Sequence, residues 1–240
     1  MLDRLQGPGH ERATRGAGLT AARIARWLLL GLLLASYPLA LMLPLSAGQE
    51  NGWMEDVQLA ILLAGLVYAI WLIRTGSKAH APRDFLLSRL ATVATPIWLL
   101  CVARETSWGA TLFTPGVPSA EGRYYTSSIL WYHDAIAPFV IVVAASMVFA
   151  FVRWRLDGPL MALIRARRFP WFELGLAVLG AFLSALAEGK LRIPLPGSEQ
   201  MLMVMEEGTE LLCYSALFLM QFSLFSSLAG MNRSLSPQRA

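Results

Sequence analysis

The sequence predicts an all-α, polytopic membrane protein, a six-transmembrane-helix bundle with both termini on the inner side (N-in/C-in). Three observations predict it. Six apolar stretches, Trp27–Ser46, Trp53–Ile73, Phe85–Arg104, Ile129–Val152, Trp171–Glu188 and Met201–Leu228, each have roughly the 17–25 residues that a helix needs to cross a hydrocarbon core. The segments joining them alternate basic, acidic, basic along the whole chain. A hydrophobic share of 56% with mean hydropathy +0.52 excludes an ordinary soluble domain and a disordered chain alike.

Taken in order, residues 1–22 are rich in Gly, Ala and Arg and read as a flexible basic N-terminus, followed by a transmembrane domain over 23–229. The first apolar run has about 20 residues, longer than a signal h-region, and Ser46-Ala47-Gly48 is a weak cleavage site, so a retained helix is expected. Each hairpin goes out on an odd span and returns on an even one. Glu105–Ser128 is the longest outer connection. Trp108, Tyr124 and Tyr125 are interface anchors within it, and Pro115 and Pro118 discourage one continuous helix, so it can fold back as a lid. After the fourth span, Arg153–Pro170 alternates apolar and basic residues, which suits either a short helix in the headgroup region or a solvated basic loop. The last two spans form another hairpin, and 230–240 is a cytoplasmic tail.

Orientation follows from charge. Sixteen of the twenty Lys and Arg residues fall on one side with five acids, while Arg104, Arg123, Lys190 and Arg192 share the other side with eleven. The basic side is cytoplasmic by the positive-inside rule. The pI near 9.4 thus reflects topology, and no nucleic-acid partner is implied. The expected partners are the lipid bilayer, a lipid or lipid-linked substrate, and other membrane subunits.

Charges in a membrane domain are expensive and gather at functional sites. Here Glu55, Asp56, Glu105, His133, Asp134, Glu188, Glu206, Glu207 and Glu210 sit at matching depth near the acidic ends of five spans. Three returning spans open alike, with Trp53-Met54-Glu55-Asp56, Trp131-Tyr132-His133-Asp134 and Val204-Met205-Glu206-Glu207. Helix capping accounts for acids at N-termini. It fails for Glu105 and Glu188, which end helices, and for Glu210, which lies about a turn inside. Those three need a partner: Arg104, Lys190, Arg192, a proton or a metal. Glu206 and Glu210 share a helix face, as do Glu55 and Gln58. Convergence of Glu55, Glu105, His133, Glu188 and Glu206 on one outer cavity is expected.

Several carboxylates held together require compensating charge or protons. A divalent metal ion suits them, with Glu105, His133, Glu206 and Glu210 as ligands. Glu55, Asp56 or Asp134 would then move protons, and Arg104 would hold a substrate phosphate. No HExxH, GxSxG, Walker or dinucleotide glycine motif is present. Ser107, Ser127 or Ser128 beside His133 and Asp134 offers a nucleophile–base pair. Met201, Met203 and Met205 read as packing residues, and His10 and His80 as solvated. Cys101 and Cys213 read as buried thiols, with a disulfide as the alternative.

The run Arg104-Glu105-Thr106-Ser107-Trp108-Gly109, followed by Pro115 and His133-Asp134, resembles a pattern in uncharacterised bacterial polytopic inner-membrane proteins. There a Glu-Glu-hydrophobic-Ser-Trp-Gly-Gln segment ends a helix, and an Asn-rich segment with a His follows. The likeness covers Glu50–Asp134 and Glu206–Glu210, and departs at Arg104 (usually Glu) and Ala110 (usually Gln). It implies a multi-pass protein of a bacterial inner membrane whose polar positions matter, and transfers no activity. A metal-dependent hydrolase or transferase acting on a lipid is the first functional expectation. A cation- or proton-coupled transporter is the second, and a scaffold or accessory subunit the third.

Overall fold

A computed structural model of the chain describes residues 8–44, 47–48, 52–78, 82–119 and 122–234. The helices are α1 (Pro8–Met42), α2 (Trp53–Lys78), α3 (Pro82–Glu105), α4 (Ala110–Phe113), α5 (His133–Arg153), α6 (Asp157–Arg165), α7 (Trp171–Ala187) and α8 (Glu199–Ser234). A two-stranded antiparallel ribbon, β1 (Val117–Ser119) with β2 (Gly122–Tyr124), sits between α4 and α5. Apart from that ribbon the described molecule is helical.

Five helices, α1, α2, α3, α5 and α8, are long and apolar enough to cross a membrane. α7 is apolar but only 17 residues long. It sits at the lower limit for a span, where about 17 residues are needed. Large apolar side chains such as Leu34, Val67, Val142 and Phe149 are exposed. Such surfaces suit contact with lipid, as in a multi-pass membrane protein.

Several boundaries differ from the sequence reading. α1 begins at Pro8, within the segment expected to be flexible, and α8 continues to Ser234, into the expected tail. Residues 1–7 and 235–240 lie outside the described part. The fourth span opens at His133 rather than Ile129, because Ser127–Ile129 makes a 3-10 turn capped by Thr126, whose hydroxyl accepts from the Ser128 amide. In Arg153–Pro170 the apolar residues do form a helix. Leu156 and Leu163 are fully buried against α2, α3 and α8, while Arg153, Arg155, Arg165, Arg167 and Arg168 are exposed.

α8 is the central helix and packs on α1, α2, α3 and α7. Its fit to α7 rests on small side chains. Ala177, Gly180, Ser184 and Ala187 form a buried stripe at helical spacing, and small residues let transmembrane backbones approach closely. A Cβ at Gly180 would stand 2.9 Å from the Thr209 carbonyl of α8. At mid-depth, a Cβ at Gly65 of α2 would lie 2.6 Å from the Trp98 ring of α3. That contact allows Trp98 Nε1 to donate to Gln221 Oε1, while Gln221 Nε2 donates to the Gly65 carbonyl at 3.1 Å. Three helices are thus tied by one satisfied amide, as an apolar medium demands.

Three apolar clusters stack along the bundle. The one at the acidic end contains Ala40, Ala47, Met54, Ala187, Met201, Val204 and Met205, so Met201 and Met205 are packing residues. Cys101 and Cys213 are free thiols, Cys213 buried and Cys101 half-buried. α5 stands apart: it packs chiefly on α3, and none of its residues is buried.

Candidate functional site: a carboxylate network at the acidic end

The acidic ends of α2, α3, α7 and α8 meet around Glu210, which is only 8% exposed. Thr209 and Cys213 flank it on the face of α8 turned to the small stripe of α7, and this packing draws Glu210 inside. Ser184 Oγ donates to Glu210 Oε1 at 2.9 Å, and Arg104 Nη2 of α3 reaches the same oxygen at 2.5 Å. Arg104 Nη1 also donates to Tyr214 Oη at 2.7 Å, and Tyr214 Oη donates to Glu105 Oε2 at 3.0 Å. One turn outward, Gln58 Nε2 of α2 donates to both the backbone carbonyl and Oε2 of Glu207, each at 2.9 Å. Glu55 is within electrostatic reach of Glu105 and Glu207, and Glu188 and Glu210 are within reach of Glu206. Lys190 pairs with Glu188.

The three acids that capping could not explain have partners. Glu105 has Tyr214, Glu188 has Lys190, and Glu210 has Arg104 and Ser184. Arg104 therefore sits where the metal ligand set was expected to need compensation, and its side chain is still 49% exposed. A guanidinium carries five N–H donors, so Arg104 has capacity beyond these two contacts. Among the described residues, no three His, Cys, Asp or Glu side chains are gathered in a way that could hold a metal ion.

Of the residues expected to converge, the network around Glu210 gathers Glu55, Glu105, Glu188 and Glu206 but not His133. His133 is exposed at the start of α5, where its Nδ1 lies 3.2 Å from Ser127 Oγ. Asp134 beside it and Asp56 on α2 are exposed too. The reason is the placement of α5: it lies against α3 rather than α8, so its N-terminus does not join the ends of α2, α7 and α8. The serine–imidazole pair anticipated from the sequence is formed at the exposed start of α5.

Tyr214 and Ser184 are the members that sequence reading missed. Tyr214 falls one turn below Glu210 and seven residues below Glu207 on α8, and that i, i+3, i+7 spacing was the available signal. Ser184 had no signal of its own, because its place depends on how α7 docks.

The connection between α3 and α5 starts with a sharp left-handed turn. Ser107, Trp108 and Gly109 have φ of 46°, 59° and 93°, unusual for the two residues that are not glycine. Tyr132 Oη donates to the Trp108 carbonyl at 2.6 Å, and Ser107 Oγ donates to the Tyr125 carbonyl at 3.3 Å. These bonds pin the Ser-Trp-Gly turn to the start of α5.

Beside the network lies a pocket of about 220 Å³ lined by Arg104, Ser184, Glu188, Lys190, Glu210 and Tyr214, with Ala181, Ala185 and Cys213 as its apolar wall. It lies between α3 and α7, both of which pack on α8, and brings two cations and two anions to one small cavity. No family model, curated protein or solved structure matches this chain.

Proposed function

We propose that the chain crosses a bacterial inner membrane six times, N-in and C-in, and that its outward-facing pocket holds the headgroup of a lipid or lipid-linked molecule. The observation that carries this reading is the mixed-charge pocket between α3 and α7. Arg104 and Lys190 suit a phosphate, whose geometry a guanidinium matches. Glu188 and Glu210 suit an adjacent cationic or hydroxylated group. A cleft between helices at the end of their apolar spans is open to a molecule already in the bilayer. Transport is the weaker reading, since Gln221 and Ser223, polar groups of the inner half, are occupied by Trp98, Gly65 and Glu173. Metal-assisted hydrolysis or group transfer would need Glu105, His133, Glu206 and Glu210 as ligands, and His133 stands apart from the other three at the exposed start of α5.

The test is lipid retention by purified protein in nanodiscs, read by native mass spectrometry. The parent should retain a phosphate-bearing lipid through delipidation, and Arg104→Gln should lose it by about tenfold, the effect of about 1.4 kcal/mol. Equal retention by both would overturn the reading. Metal analysis of the same sample separates headgroup binding alone from metal-assisted chemistry. Reporter fusions at Gly76 and Gly158 should read as cytoplasmic, and at Gly116 and Gly197 as outside. A cytoplasmic signal at Gly116 would sink the topology.

A further inference from the structure

α5 is a membrane-length helix whose apolar span has no buried residue. Its least exposed positions, Ile136, Val140, Val143, Met147 and Ala150, recur at helical spacing and mark its α3-facing side. Even there the two helices do not close. A cavity of about 640 Å³ separates them, walled by Thr92, Pro96, Leu99 and Ala103 of α3 and by Phe139, Val143 and Met147 among others of α5. That volume falls in the range of roughly 300–1,000 Å³ typical of small-molecule sites.

We infer that this slot seats one acyl chain of the amphiphile whose headgroup reaches Arg104. The inference rests on the headgroup reading and adds the tail to it.

The slot's chemistry is that of hydrocarbon. Its two hydroxyls are turned back on their own helices, Thr92 Oγ1 to the Ser88 carbonyl at 2.9 Å and Ser146 Oγ to the Val142 carbonyl at 2.8 Å. It therefore offers water almost nothing to bond, and a cavity without polar partners stays dry or takes an apolar guest.

Its length points to a lipid tail. From Thr92 to Ala103, and again from Phe139 to Ala150, the walls run twelve residues, a rise of about 16 Å at about 1.5 Å per residue step. One leaflet of hydrocarbon is half of the ~30 Å core, roughly 15 Å. On α3 the slot covers the portion of Phe85–Glu105 nearer the acidic end, whereas on α5 its wall from Phe139 to Ala150 lies nearer Arg153, so the slot runs from just below the acidic end past the middle of the bundle. Its upper edge is Ala103, and the next residue, Arg104, lines the polar pocket. A tail in the slot therefore places its headgroup at the end of α3, where the exposed part of the guanidinium stands.

The test uses the full chain in nanodiscs containing a phosphatidyl lipid with a photoactivatable diazirine on one acyl chain, with labelled residues mapped by mass spectrometry. Leu99, Leu100, Phe139 and Val143 should be labelled about tenfold above Leu34 and Val67, exposed residues that face lipid without a slot. Ala103→Trp with Val143→Trp should fill the slot and erase that excess, leaving labelling at Leu34 unchanged. Slot labelling no higher than at Leu34 overturns the inference. So does efficient disulfide cross-linking of Met147→Cys between two copies, which would assign the face to a second chain. If the slot is labelled while Arg104→Gln leaves lipid retention unaltered, the headgroup reading alone falls. If retention depends on Arg104 while the slot is unlabelled, the slot alone falls.

Discussion

Two buried ionic groups lie near opposite ends of this bundle, and they are built on different plans. Near the basic end, Glu173 of α7 is fully buried. Arg26 Nε and Nη2 of α1 donate to its Oε1 at 2.9 and 2.6 Å, and Ser223 Oγ of α8 donates to the same oxygen at 2.9 Å. One acid meets one base, three helices are joined, and Glu173 Oε2 has no hydrogen-bond partner among the described residues. At the acidic end Glu55, Glu105, Glu188, Glu206, Glu207 and Glu210 meet Arg104 and Lys190, and a cavity opens beside them. A balanced, closed pair is what a structural tie requires. An unbalanced, open cluster of acids requires compensating charge or protons. The difference teaches that burial of a charge alone does not mark a site; charge imbalance beside space does.

The largest effect expected from breaking this comparison is at the tie near the basic end. Arg26→Ala leaves Glu173 unpaired where water cannot reach it, and removing one partner of a buried pair costs about 3–5 kcal/mol. Arg26 is 41% exposed, so a loss of about 3 kcal/mol is expected, at the low end of that range. Thermal unfolding in detergent measures it. Arg26→Leu with Glu173→Leu should recover most of the loss, since an apolar pair can replace a buried ionic one. A single variant as stable as the parent would show that the pair holds nothing together.

The acidic end should behave in the opposite way. Glu210→Gln leaves behind Arg104, which is half-exposed and keeps Tyr214, and it relieves repulsion among the neighbouring acids. Stability should change by less than about 1 kcal/mol, while retention of a headgroup lipid should drop about tenfold. Glu206→Gln should likewise leave the fold intact and remove any bound metal together with any activity. If Glu210→Gln instead unfolds the protein as Arg26→Ala does, the two regions share a structural role and the contrast collapses.

Tyr214→Phe is a finer probe. It deletes one bond given to Glu105 and one received from Arg104, and a loss of about 1–2 kcal/mol is expected in the same unfolding assay. The smallest effect belongs to His133. Its ring is exposed, with Nδ1 3.2 Å from Ser127 Oγ, so His133→Ala should shift stability within about 0.5 kcal/mol and leave lipid retention unchanged. A large loss of retention would bring α5's N-terminus back into the site.

Much of this molecule is written in one dimension. Length and hydropathy place the apolar helices, because a helix must hydrogen-bond its own backbone in lipid and must be long enough to cross it. The alternation of charge places the acidic residues at one set of helix ends, and the failure of capping at Glu105, Glu188 and Glu210 signals that they need partners. The sequence could not say which partner each would take. Arg104 selects Glu210 and Tyr214, and Ser184 joins them, because the stripe Ala177–Gly180–Ser184–Ala187 lets α7 press against α8; that is a fact about two surfaces. Nor could it separate Glu173 and Arg26, which read as cytoplasmic-side charges, from solvated ones, since only docking of α1, α7 and α8 removes their water. The exclusion of His133 and Asp134 has the same origin. Their depth matches that of the other polar residues, but depth is a coordinate along the membrane normal, set by chain length. Position around the bundle is set by side-chain packing, and α5 packs on α3.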